Sequence, residues 1–90
     1  MTEPWTSLMG EVIVLDTAGP IVYIGRLTDV GESTFVLEQA DIHDCRDGHV
    51  SKDAYVAEAR DGGVTVNRRR IIILRTAVIS VSLLRDIVIE

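Results

Sequence analysis

RIIILRTAVISVSL, residues 70–83, holds two apolar runs separated by a single polar corner. Isoleucine and valine suit a pleated sheet, and runs this short between turn signals read as strands. The stretch therefore predicts strands over 70–75 and 78–83, with a tight corner at Thr76–Ala77. A strand with one wet face alternates apolar and polar residues. Ile71, Ile72, Ile73 and Leu74 do not alternate, so both faces of that strand are expected to be covered. A 90-residue barrel has one interior and cannot cover its own outside. The cover is then either a helix expected at 51–60 or a second copy pairing edge to edge. The second is preferred, because exposed apolar patches and bare strand edges mark interfaces. Ile71, Ile72, Ile73, Leu74, Val78, Ile79 and Val81 are the expected interface residues. A head-to-tail edge contact that closes on itself makes a ring.

Working back from this stretch, EVIVLDT (11–17) reads as a strand turned by AGP (18–20). IVYIGRLTDV (21–30) is a longer strand whose central Gly25 marks a sharp bend or a close backbone approach. GES (31–33) turns the chain into TFVLEQADI (34–42), with Phe35 and Leu37 on one face and Val36 and Glu38 on the other. SKDAYVAEAR (51–60) is a brief helix with Ser51 as N-cap and Asp53 in its first turn, ended by DGG (61–63). Its Tyr55, Val56 and Ala59 are placed to pack on the barrel. At the other end, Thr2 or Glu3 opens a short helix with Pro4 in its first turn. Trp5, Leu8 and Met9 share a face there, and Gly10 stops it. LRDIVIE (84–90) is an extension or a tail.

The composition agrees with one small aliphatic domain. Hydrophobic residues are 47% of the chain, aromatics only 4%, and charged residues 26%. A net charge of −5 disfavours wholesale coating of nucleic acid, though not a local basic site. One cysteine cannot close an internal disulfide, which fits a reducing cytoplasm. The N-terminus has neither the positive region nor the apolar run of a signal peptide, and no membrane span is expected.

Two clusters carry candidate chemistry. DIHDCRDGH (41–49) gathers both histidines, the cysteine and three aspartates. His43 and His49 are wrongly spaced for a structural zinc site, Cys45 has no thiol partner, and the aspartates lack a calcium loop's pattern. A polar turn accounts for the composition; no metal, cofactor, small-molecule substrate or catalysis is expected. RRR (68–70) with Arg75 is the best candidate for phosphate contacts. Pairing with acidic residues such as Glu38, Glu58 and Asp86 across a subunit interface is the preferred reading of those arginines. Trp5 is expected to pack rather than to stack on a base.

GEVIVLDTAGPIVYIGRLTDVGESTFVLEQA (10–40) resembles the first sequence block of Sm-like proteins, the LSm and Hfq group, through Tyr23, Gly25 and Leu27. LRTAVISVS (74–82) resembles the second block, with the bacterial Hfq form the closer match. The resemblance leaves aside the insertion 43–66 and the tail. It implies a five-stranded, SH3-like Sm barrel in which the fourth and fifth strands pair between subunits to form a homo-oligomeric ring. It also implies RNA at two pore loops, here Glu32, Ser33 and Thr34 with Arg75 and Thr76. The chain departs from the family where an aspartate and an asparagine usually stand in the first loop, and where Thr76 replaces a glycine. A structural or protein-interaction module of the same fold, without RNA, is the functional alternative. An OB-fold, also five-stranded with a helix between strands three and four, is the fold alternative.

Overall fold

The computed structural model describes residues 4–48 and 50–88. Strands β1 (Val12–Asp16), β2 (Ile21–Val30), β3 (Thr34–Asp44), β4 (Arg68–Leu74) and β5 (Ser80–Leu83) form one antiparallel sheet, with helix α1 (Lys52–Gly62) between β3 and β4. The order is β4-β3-β2-β1-β5, so β4 and β5 are the two edges although they are consecutive in sequence. Laid flat, five strands would hold those edges about 19 Å apart. The link between them contains a 3-10 turn at Arg75–Ala77, whose residues rise only about 2 Å each, so the sheet must roll toward a barrel. Ile13, Leu15, Leu27, Phe35, Leu37, Ala40 and Ile73 fill its inside. The first four strands form a plain meander rather than the Greek key of an OB barrel, which sets the OB alternative aside.

Gly25 is where β2 bends over β3. A Cβ there would lie 2.9 Å from the Cβ of Ala40, 3.0 Å from its Cα and 3.2 Å from the carbonyl oxygen of Glu38. The pairing shifts at this point, from Ile24 opposite Asp41 to Arg26 opposite Glu38, which puts an extra residue into β3. Gln39, in that extra stretch, takes the left-handed φ of 48°. β3 bulges here and β2 bulges in turn between Leu27 and Asp29, the expected device for curling a small sheet.

The expected bounds shift in several places. The N-terminal element is a 3-10 turn, Pro4–Leu8, and the proposed openers Thr2 and Glu3 lie outside the described residues. With three residues per turn, Trp5 and Leu8 stack on one side and pack against the core, while Met9 turns away and is exposed. Gly10, at φ 79°, ends the turn as expected. β3 runs on to Asp44, β4 begins at Arg68, and Arg75 belongs to the corner rather than to the strand. β5 begins only at Ser80, after Val78 closes the 3-10 turn by donating to the carbonyl of Arg75 and the amide of Ile79 donates to the carbonyl of Asp16. Of the tail, Leu84–Asp86 is another 3-10 turn, with Leu84 buried.

Ser51 caps α1 as expected, its Oγ accepting from the amide of Ala54 at 3.1 Å, and Gly63 ends the helix with φ 95°. The helix does not lie on β4, however. Val56 and Ala59 pack with Val14, Val22, Ile24 and Leu84, which puts α1 on the outer face of β1 and β2. Lys52 fastens its start to the β1–β2 turn, reaching Oδ1 of Asp16 and the carbonyl oxygen of Gly19, both at 2.6 Å. The insertion therefore leaves the outer face of β4 bare. No helix among the described residues is long and apolar enough to cross a membrane.

Candidate functional site

The two loops expected to act together are joined. The β2–β3 turn is closed by the amide of Gly31 donating to the carbonyl of Thr34 at 2.9 Å. The amide of Arg75 donates to the carbonyl of Ser33 at 2.8 Å, and Thr34 pairs with Leu74 at the end of the β3–β4 ladder. The Arg75 side chain then reaches over the turn, donating from Nη1 to the carbonyls of Gly31 (2.9 Å) and Glu32 (3.2 Å). Glu32, Ser33 and Thr76 are exposed around this arginine, and Thr34 is half-buried.

The guanidinium also lies 5.3 Å from the Trp5 ring centre and 5.6 Å from that of Phe35. Trp5 meets Phe35 edge to face, with ring centres 5.3 Å apart. Such contacts favour a cation over a ring and hold the arginine in place. Trp5 thus packs, as expected, yet its indole Nε1 is buried without a partner. Two open hollows flank the stack. One, of about 410 Å³, reaches Asp29 and Glu32; the other, of about 450 Å³, reaches Phe35, Val78 and Ile79. With one guanidinium against two nearby carboxylates, the site offers rings and main-chain groups more than net positive charge. Sequence reasoning found Arg75 but missed Trp5 and Phe35 as its supports. The available signal was that Trp5 is the sole tryptophan and is apolar-facing at the N-terminus.

The expected interface residues on β4 divide by parity. Ile73 is buried in the protomer's own core, where Ile71, Val78 and Val81 also pack. Ile72 and Leu74 point the other way and are 55% and 61% exposed, and Ile79, beside the Phe35 hollow, is 64% exposed. The apolar run is thus covered on its inner face and open on its outer one. Arg68, Arg69 and Arg70 stand exposed at the start of β4, with Arg70 opposite Glu38 across the ladder. None of the three forms an ion pair with a described carboxylate.

The 41–49 cluster is not simply a solvated turn. Asp41 and His43 lie on β3, and only the residues after Asp44 turn. Asp41 is 1% exposed and accepts from the Tyr55 hydroxyl of α1 and from Nδ2 of Asn67 at 2.8 Å. Burial, then the bond to Asp41, pushes the Tyr55 hydroxyl's pKa up. His43 stacks on the Tyr55 ring at 3.6 Å, and its Nε2 is buried without a partner. Asp44 and Arg46 pair on the surface at 2.6 Å, and burial pushes the Cys45 thiol up. His49 lies outside the described residues. Among the described residues, no three His, Cys, Asp or Glu side chains converge on a common metal position.

No protein-family model matches the sequence, and no curated protein matches it. Among solved structures, the chain is similar to the Pyrococcus abyssii Sm protein in complex with a uridine heptamer. The TM-score is 0.61 at 16% identity, over 91% of this chain and 99% of that one. With five strands in this order, a bulged β2–β3 pair and this structural likeness, the chain has the Sm-like fold.

Proposed function

We propose that this protein is a non-catalytic subunit of a homo-oligomeric ring, closed by β4 of one copy pairing with β5 of the next, and that its joined loops bind single-stranded RNA. The observation that carries the ring is the placement of β4 and β5 at opposite edges of one sheet, with Ile72, Leu74 and Ile79 exposed beside them. Each edge presents unpaired main-chain groups, and a head-to-tail contact satisfies both at once. The RNA half of the proposal rests on Ser33, Thr34, Arg75 and Thr76 meeting at one rim, and on the likeness to an Sm protein that holds a uridine heptamer. A reducing, cytoplasmic setting belongs to the same reading and is supported by the single free Cys45.

Native mass spectrometry tests the ring. Several subunits per particle are expected, and Ile72→Ser with Leu74→Ser should shift the protein to monomer while leaving its circular dichroism unchanged. A monomeric wild type overturns the ring. Fluorescence anisotropy with short oligo-U and oligo-A across a salt series tests the RNA half. Binding at low salt that weakens as salt rises, and is lost in Arg75→Ala, supports it. A specific observation favours a second reading, an interaction module of the same fold without RNA. Arg75 is already engaged by two carbonyls and two rings, and the carboxylate of Glu32 is exposed beside it. Absence of binding even at low salt selects that reading.

A further inference from the structure

Edge pairing by itself gives no role to a groove that lies beside β5 on the outer face of the sheet. It holds about 530 Å³, with the small side chains Ala54 and Ala57 of α1 and Ser80 and Ser82 of β5 in its lining, together with the Lys52–Asp16 ion pair and Asp53. Val14, Val22 and Ile87 add apolar lining. At the opposite edge of the sheet, parity sends Arg68, Arg70, Ile72 and Leu74 to the outer face, since Ile71 and Ile73 face the core. The groove lacks a filling, and the exposed pair Ile72 and Leu74 lacks a cover.

Strand geometry brings these together. Residues directly opposite each other on neighbouring strands point to the same face. Suppose a second copy adds its β4 antiparallel to β5, like every other pair in the sheet, with core-facing Ile73 and Ile71 level with Val81 and Leu83. Leu74 and Ile72 then stand level with Ser80 and Ser82, leaning over two small side chains into the groove. β5 ends at Leu83, so Arg70 and Arg68 run on beside the 3-10 turn Leu84–Asp86, which exposes both Arg85 and Asp86. The aliphatic half of the outer stripe of β4 thus falls beside the small side chains that line the groove.

We propose that the groove between α1 and β5 is the socket for Ile72 and Leu74 of a second copy of this chain, which makes the inserted helix part of the subunit joint. The inference rests on the β4–β5 pairing proposed above and adds a side-chain contact that main-chain pairing does not require.

Cross-linking separates the two. In a Cys45→Ala background, Ile72→Cys protein is mixed with Ala57→Cys, Ser82→Cys or Glu58→Cys protein and treated with a short bifunctional thiol reagent, alongside native mass spectrometry of the wild type. The socket predicts a mixed dimer for Ala57→Cys and for Ser82→Cys, and none for Glu58→Cys on the far flank of α1. A Ser82→Cys product without an Ala57→Cys product overturns the socket and leaves the strand pairing standing. A monomeric wild type removes both. Ala57→Trp, which fills the groove and leaves the main chains of β4 and β5 unaltered in sequence, should raise the concentration for half-assembly by roughly tenfold or more. Unchanged assembly of that variant, with an unchanged melting profile, also overturns the socket.

Discussion

Replacing Gly25 with alanine puts one methyl group where β2 crosses β3, and the structure fixes what that methyl meets. Its nearest neighbours stand at 2.9, 3.0 and 3.2 Å, and all three belong to Ala40 or to the main chain of Glu38. Carbon atoms at rest sit about 3.5–4.0 Å apart. Neither neighbour has a rotamer to swing aside, and Ala40 is fully buried. The two strands must therefore part by several tenths of an ångström at the bulge, against a filled core. Overpacking of this kind costs about 1–3 kcal/mol, and each kcal/mol lowers the melting temperature of a domain this size by roughly 4–8 °C. Thermal and urea unfolding at one fixed protein concentration measure it, because assembly makes apparent stability depend on concentration. The pair Gly25→Ala with Ala40→Gly supplies the control. Removing the Ala40 methyl reopens the space, so the double variant should be more stable than the sum of the single losses by about 0.5–2 kcal/mol. An unchanged melting temperature in Gly25→Ala, or strictly additive losses in the double variant, would refute the close approach.

Three further outcomes follow from the α1 side of the barrel. Tyr55→Phe leaves one oxygen of buried Asp41 without its donor and should cost about 1.5–3 kcal/mol in urea unfolding; a change below the error of the fit would show that water replaces the hydroxyl. The Arg46 side chain, then its amide, carries the Asp44 carboxyl from an ordinary 3.8 down to about 2. Its folded value is depressed, so its contribution to stability is present above pH 4 or so and is lost as the pH falls through about 2. Carboxyl-carbon NMR should find that midpoint in the wild type and see it return toward 3.8 in Arg46→Ala; equal midpoints would show that the pair does not form in solution. Cys45, half-buried with its thiol pushed up by burial, should be alkylated by iodoacetamide at neutral pH far more slowly than in the urea-unfolded chain, and equal rates would place it in open solvent.

The first three strands were legible because each sits between turn residues and carries enough aliphatic side chains to show its period. β2 has the bounds that the sequence suggests, and the expected bend at Gly25 is a close approach to Ala40. The Ser51 cap was legible too, since capping is a local affair. What the sequence hid depended on distant partners. Asp41 looks like one more acid in a polar stretch, and only Tyr55 and Asn67, 14 and 26 residues further on, reveal it as a buried acceptor. The face chosen by α1 was hidden for the same reason, because Val56 and Ala59 carry no mark distinguishing β1 and β2 from β4. At the rim, Arg75 could be picked out from its place after the apolar run, but its ring partners come from the opposite end of the chain and the far side of a turn.

The docking of α1 has a practical corollary for anyone wishing to trim the chain to a minimal barrel. Cutting out the segment between β3 and β4 removes the roof over Val14, Val22 and Ile24, each now shielded from water on the outside of the sheet. Laying bare an aliphatic side chain forfeits about 1.5–3 kcal/mol, so three together rival the whole net stability of a small domain. A shortened version would need polar replacements at those three sites before it could stay soluble, which makes the helix a fixed wall of this building rather than an annexe.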